Sequence, residues 1–281
     1  MIKNYKLVSF LIFISQRIFF VRGRFKRVLN TLIHNLINYD SSKDIIESRV
    51  GTVVDGVPFF FYFDGMSETK QLFGSYNKKE INFLKKNTKP NSVFIDIGAN
   101  IGFYTQNIAA MYNTSNFLKI IAIEPNPILV KRIKDNVSLL ENNIPEITDK
   151  IIIENYAIGL EKKEIFLDLD EGYGNARVKD QQDSQTIKVN MISLLELVKK
   201  NDINYITNLK IDVEGYEDKA LKPFFESASI ELYPKNIVIE FTSQNEWQDQ
   251  NFISYLIDKG YKEILKTRGN LCLSLVGKNK E

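Results

Sequence analysis

The chain has one cysteine, one histidine and one tryptophan among 281 residues. A lone Cys272 excludes a disulfide framework, and together with a lone His34 it cannot complete a zinc site of nitrogen and sulfur ligands. Such a composition fits a reducing compartment, and the expected location is cytoplasmic. No run approaches the roughly 20 apolar residues of a membrane-spanning helix. The stretch Leu7 to Ile14 is followed by Gln16 and Arg17, and no small-residue cleavage site of a secretory leader comes after it. Internal repeats and Pro/Gly/Ser-rich linkers are also lacking. What is there, 44% apolar and 26% charged residues, suits a chain that buries a full core.

Acids are missing from one part only. Residues 1–39 hold Lys3, Lys6, Arg17, Arg22, Arg24, Lys26 and Arg27 and no Asp or Glu; the chain's net charge is +2, so the arm carries +7 and the remainder −5. Ile18, Val21, Phe25, Val28, Leu29, Leu32, Ile33 and Leu36 recur at helical spacing, which predicts one apolar and one basic face. Two readings are open for residues 1–38: peripheral contact with an anionic membrane surface, or packing on the rest of the protein. The predicted organisation is an arm over 1–40, an appendage over 41–89 and a catalytic domain over 90–281. In the appendage, two β-rich runs flank Asp55-Gly56, a strong hairpin dipeptide, and a helix is predicted over 77–86. The appendage either covers one end of a sheet or walls an acceptor pocket.

From residue 90 onward, short β-branched runs alternate with helical stretches, which predicts a doubly wound, mostly parallel α/β sheet. The most informative segment is Asp96-Ile97-Gly98-Ala99-Asn100-Ile101-Gly102, lying between the apolar run Ser92 to Ile95 and a helix-like Phe103 to Met111. A strand that turns through glycines into a helix lets backbone N–H groups and the helix N-terminus approach a ligand. The dinucleotide pattern G-x-G-x-x-G is not met. Asn100 stands at its second glycine and Phe103 at its third, so a pyrophosphate has no room, and a ligand with an adenosine half but no pyrophosphate fits better. Lys119 to Pro127 is a second apolar strand ending in Glu124, 22 residues after Gly102, where an acid can accept hydrogen bonds from both ribose hydroxyls.

The D-x-G-A-N-x-G turn resembles the first motif of class I S-adenosylmethionine (SAM) methyltransferases, and its GAN form is similar to the FkbM-type family. Further resemblances follow in order: Glu124-Pro125-Asn126, then Ile151 to Gly159, read as a third strand with Asn155 and Ala157, then Lys210-Ile211-Asp212-Val213-Glu214-Gly215-Tyr216-Glu217, similar to K-x-D-x-E-G-x-E, then the strand Ile237 to Phe241. The resemblance implies a Rossmann-like seven-stranded sheet and SAM as cofactor. Its contacts are carried over onto Asp96, Gly98, Ala99, Asn100, Gly102, Glu124, Pro125, Asn126, Asn155, Ala157 and Asp212. It also implies O-methylation of a hydroxyl on a sugar, glycan or secondary-metabolite-like acceptor. The structural alternative for Asp96 and Glu124 is capping of helix N-termini.

Methyl transfer from a sulfonium needs alignment of acceptor and methyl group, and for a hydroxyl acceptor a base or charge sink. His34 is far from every motif, so the base is a carboxylate or absent. Asp212, Glu214 and Glu240 are the catalytic candidates. On a regular strand Asp212 and Glu214 face the same way, and their repulsion raises one of the two pKa values. The same three acids would suit a hard cation such as Mg²⁺, though the chemistry does not require one. Between the third and fourth core strands, Glu164 to Leu169 and Thr186 to Asn190 read as strands around a polar loop, whose Tyr173, Asn175 and Arg177 are acceptor-contact candidates. Cys272 is expected as a small buried residue of a late strand, and Trp247 as packing at the start of a helix over 250–259. A nucleic-acid partner is not expected, because the −5 charge of residues 40–281 disfavours a phosphate backbone. Competing functions on this architecture are an NAD-dependent oxidoreductase, disfavoured by the missing glycine, and a non-catalytic SAM-fold adaptor.

Overall fold

The structure is a computed structural model that describes residues 49–62, 71, 76–112, 118–168, 177–179, 182–183 and 186–276. Two compact units divide between Lys78 and Lys79. The first contains the predicted hairpin, β1 (Arg49–Val54) paired antiparallel with β2 (Val57–Tyr62). Its turn has positive φ at both Asp55 and Gly56, the geometry that matches the twist of two antiparallel strands. The basic arm, Tyr173 and Asn175 lie outside the described residues.

The second unit holds the sheet that the alternating pattern predicts. Helix α1 (Lys78–Asn87) leads into β3 (Ser92–Ile97), followed by α2 (Phe103–Ala109), β4 (Leu118–Ile123), α3 (Pro127–Glu141) and β5 (Ile151–Glu154). An inserted segment then supplies β6 (Ala157–Ile158), β7 (Lys163–Asp168), β8 (Arg177–Lys179) and β9 (Thr186–Ile192). The main path resumes with α4 (Leu194–Lys200), β10 (Asn208–Ile211), α5 (Glu217–Ser227), β11 (Asn236–Glu240), α6 (Phe252–Asp258), β12 (Tyr261–Lys266) and β13 (Asn270–Leu275).

Seven strands form one sheet in the order β12-β13-β11-β10-β3-β4-β5. The five strands from β11 to β5 are parallel, and β13 runs antiparallel to both its neighbours. Every residue of β3, β10 and β11 is buried, as expected of strands covered on both faces. From β3 the chain moves outward to β4 and β5, then returns to lay β10 on the other side of β3. The direction of winding therefore reverses between β3 and β10, and ligands of doubly wound sheets bind at the C-terminal strand ends of such a point. Trp247 is buried and packs edge-on against Phe252 at the start of α6, and Cys272 is buried in β13, its thiol pushed up to about 12 chiefly by burial.

The structure departs from the sequence reading in two places. The segment read as one strand, Ile151 to Gly159, breaks at Asn155-Tyr156, and Ala157 belongs to β6 in a separate four-stranded sheet ordered β6-β9-β7-β8. The fourth core strand ends at Ile211, one residue before Asp212, and Glu214 has φ 52°, a left-handed conformation that removes the regular alternation on which its shared orientation with Asp212 rested.

Candidate functional site

At the winding reversal two loops meet. The Gly98 N–H and the Ala99 N–H both donate to the Ile123 carbonyl at 3.0 Å, folding the turn after β3 over the end of β4. On the other side Gly98 lies so close to the segment after β10 that a Cβ at this position would sit 1.9 Å from the Asp212 carbonyl oxygen. With φ 70° as well, only glycine fits. The turn thus presents backbone without a side chain where a ligand must approach closely.

Asp96 is fully buried. Its Oδ2 accepts from the Thr105 amide at 3.0 Å and from the Thr105 hydroxyl at 2.7 Å, which caps the first turn of α2. Its Oδ1 faces the Lys210 ammonium at 3.5 Å. With no exposed surface, Asp96 braces the turn from behind. Glu124 follows β4 and accepts one backbone N–H on each oxygen, Asn126 on Oε1 at 3.0 Å and Asn100 on Oε2 at 2.9 Å. Burial pushes its carboxyl up to about 7 despite those two bonds. Asn126 caps α3 by accepting from the Ile128 amide, with Pro127 at the first helical position. Asn155 donates to the carbonyls of Glu124 and Pro125 at 2.9 and 2.7 Å, tying the ends of β4 and β5 together.

The acidic group at the ends of β10 and β11 has a different membership from the expected one. One oxygen from each of Asp212, Glu217 and Glu240 lies within 4.8 Å of the others. Parallel pairing of Ile211 with Ile239 brings Asp212 beside Glu240, whereas Glu214, turned away by its left-handed backbone, lines a separate cleft. Of the expected trio, Asp212 and Glu240 come together with Glu217 as the third acid of the cluster, and Glu214 lies on the cleft instead. Glu217 is fully buried, and burial raises its carboxyl above the usual range. Its Oε1 accepts from the Val213 and Gly215 amides at 2.8 and 3.4 Å, and its Oε2 from the Trp247 indole N–H at 2.7 Å. Glu240 accepts from the Thr242 amide at 2.7 Å on Oε1 and has no hydrogen-bond donor on Oε2 among the described residues. Burial, and then the Asp212 charge, push it to about 8, so it carries a proton at neutral pH. The Asp212 side chain is 27% exposed, the most open of the three.

Lys210, the one charged residue inside buried strand β10, was missed as a site residue. Its ammonium donates to the Gly98 carbonyl at 2.7 Å and lies 4.0 Å from Asp212 Oδ2. A lysine between Leu209 and Ile211, in a strand whose other members are uncharged, was the available signal, because an ammonium is buried only where partners wait for it. Arg177, an expected acceptor contact, opens β8 in the inserted sheet. A cleft of about 530 Å³ lies between that sheet and the loop after β10, lined among others by Lys163, Phe166, Lys179, Glu214, Tyr216 and Glu246.

These residues fit SAM. The turn at Gly98 leaves space that a Cβ would fill, and an ionised Glu124 keeps lone pairs free on both oxygens for a pair of hydroxyls. A solved methyltransferase FkbM from Methylobacillus flagellatus is 15% identical, covering 74% of this chain and 53% of its own, with a TM-score of 0.45. The chain thus spans about half the length of that relative. TYW2 of M. jannaschii, solved in complex with AdoMet, is 15% identical over 81% of this chain and 85% of its own, with a TM-score of 0.42. A precorrin-6y C5,15-methyltransferase from Geobacter metallireducens is 12% identical over 70% and 87%, with a TM-score of 0.40. No curated protein sequence matches the chain. The family model of the methyltransferase FkbM domain matches residues 96–263, from the aspartate that braces the glycine turn to the first strand of the closing β12-β13 pair. With more than half of its length matched, and with the seven-stranded fold around that turn, this chain belongs to the FkbM family of SAM-dependent methyltransferases.

Proposed function

We propose that this protein methylates a hydroxyl group on a sugar, glycan or secondary-metabolite-like acceptor. The observation that carries the reading is the pairing of a partly open Asp212 with a buried, proton-bearing Glu240 at the crevice. When bound, SAM supplies a methyl group on a sulfonium that is already an activated leaving group. Gly98, Ala99, Asn100 and Gly102 shape its seat, Glu124 accepts from the ribose hydroxyls, and Pro125, Asn126, Asn155 and Ala157 border the adenosine side. Asp96 braces the turn from behind. Asp212 receives the proton that the acceptor hydroxyl loses, a role a carboxylate can fill because the chain's one histidine lies far from every motif in sequence. Glu240, holding its own proton, does not add a second negative charge beside it. Tyr216 and Phe166 offer apolar faces in the neighbouring cleft, and Lys163, Glu214 and Glu246 offer polar groups, a mixture that suits a polyhydroxylated acceptor.

A second reading is favoured by the empty lone pairs on Glu240 Oε2: Asp212, Glu217 and Glu240 would suit a hard cation such as Mg²⁺. The cation-free version is preferred, because three N–H donors already occupy the oxygens of Glu217. For residues 1–38 the proposed partner is an anionic membrane, met from the cytoplasmic side; no helix among the described residues is long and apolar enough to cross one. A screen with labelled SAM against sugars, lipid-linked glycans and polyketide-like alcohols tests the acceptor. In the same assay Asp212→Asn is expected to lower turnover by roughly 10²-fold or more while SAM still binds. Wild-type activity in the variant removes Asp212 from the chemistry, and full wild-type activity in EDTA after exhaustive dialysis removes the cation.

A further inference from the structure

Lys210 is 4% exposed and touches both sides of the crevice. Its Nζ donates to the Gly98 carbonyl at 2.7 Å, with the Ile97 carbonyl at 3.4 Å. It faces Asp96 Oδ1 at 3.5 Å and Asp212 Oδ2 at 4.0 Å, and it lies 5.3 Å from the centre of the Tyr104 ring. These groups come from β3, from α2 and from the loop after β10 itself, and Glu124 beyond β4 also feels its charge. Among the described residues no other ammonium or guanidinium is ion-paired to Asp96 or Asp212.

We propose that Lys210 is a positioning residue that joins the two halves of the site, clamping the glycine turn through the Gly98 carbonyl while its ammonium faces Asp212, so that the turn and the acid keep one mutual position. The inference rests on the reading of Asp212 as the acceptor's base and of the glycine turn as the cofactor's seat. Its physical basis is that one buried ammonium satisfies a carbonyl and offsets two carboxylates at once. A neutral side chain of equal length does neither. The carbonyl loses its donor, so the turn is free to shift away from Asp212, and Asp212 keeps two acidic neighbours without a compensating cation. Positioning here means that the cofactor turn and the base keep one mutual geometry, which reaction rates reward steeply.

Lys210→Met and Lys210→Arg test this in the full-length protein. Calorimetry with SAM alone reads the clamp, and recovery of affinity in Lys210→Arg, which keeps the charge, separates positioning from core packing. Neither needs a known acceptor, so failure to find one leaves both readouts intact. The expected result is a folded Lys210→Met that binds SAM roughly tenfold or more weakly. Lys210→Arg, which keeps the charge but changes its reach, should recover SAM affinity in part. If an acceptor is known, kcat should fall further in Lys210→Met than in Lys210→Arg. Wild-type SAM affinity in a folded Lys210→Met would overturn the proposal. Equal losses in both variants, or failure of both to fold, would overturn it too, since either marks Lys210 as core structure only.

Discussion

Replacing Gly98 by alanine puts a methyl group 1.9 Å from the Asp212 carbonyl oxygen. Ordinary contact begins near 3.4 Å, so about 1.5 Å must be recovered by moving backbone against backbone. If the turn moves, the hydrogen bonds of Gly98 and Ala99 to Ile123 and of Lys210 to Gly98 are strained or lost. At about 1 kcal/mol for each hydrogen bond, plus about 1 kcal/mol for an alanine at positive φ, the cost is roughly 3 to 4 kcal/mol. Gly102→Ala is the control. It carries the same backbone penalty at φ 82°, but the nearest atoms its Cβ meets belong to the Ile133 side chain, led by the Cγ2 methyl at 3.3 Å, which can give way. Its expected cost is about 1 to 1.5 kcal/mol. For a domain of this size each kcal/mol lowers Tm by about 2 to 4 °C, so Gly98→Ala should melt roughly 3 to 12 °C below Gly102→Ala. SAM affinity should fall by tenfold or more in Gly98→Ala, because a turn displaced by more than an ångström no longer meets the cofactor. Scanning calorimetry and SAM titration on both variants decide the matter. Equal melting temperatures, with wild-type SAM affinity in Gly98→Ala, would refute the claim that the Gly98–Asp212 contact holds the site together.

Glu124→Ala should weaken SAM binding by roughly 2 to 4 kcal/mol through loss of two charged hydrogen bonds, read by calorimetry. Because Glu124 titrates at about 7 and its anion is the acceptor, wild-type affinity should also decline as pH falls below that value, and Glu124→Gln should flatten the decline. For Glu240, raised from 4.5 to about 8, the folded state keeps a proton that the unfolded chain has shed. Its contribution to stability is complete below 4.5 and drains away as pH rises through 8, at up to about 1.4 kcal/mol per pH unit. Urea unfolding at pH 6, 7 and 8 should show this slope in the wild type and a shallower one in Glu240→Gln; identical slopes would contradict it. Removing residues 1–38 should abolish sedimentation with anionic vesicles and leave SAM binding intact, whereas a lower melting temperature, with no vesicle binding by the full-length protein, would point to an arm packed on the domain.

Much of this molecule is dictated locally. Continuous apolar runs such as Ile120 to Ile123 cannot be satisfied on one face, so a buried parallel sheet follows from them, and Asp55-Gly56 sets its hairpin through backbone torsions alone. The glycine turn with Asp96 and the strand-ending Glu124 were legible for the same reason: each sits at a strand end whose direction the pattern already defines. Other features depend on which strands become neighbours. The approach of Gly98 to Asp212, the bridge from Lys210 to Gly98 and the pairing of Asp212 with Glu240 all arise from the register that sets Ile211 beside Ile97 and Ile239. Sequence spacing carries no record of that register. The exchange of Glu214 for Glu217 turns on a single left-handed backbone at residue 214, which sends one acid toward the cleft and lets the next, anchored by Trp247, fold back beneath the loop. A charge in a buried strand could be read from the sequence as a demand for partners; only the assembled sheet decides that those partners are the cofactor turn and the acid beside it.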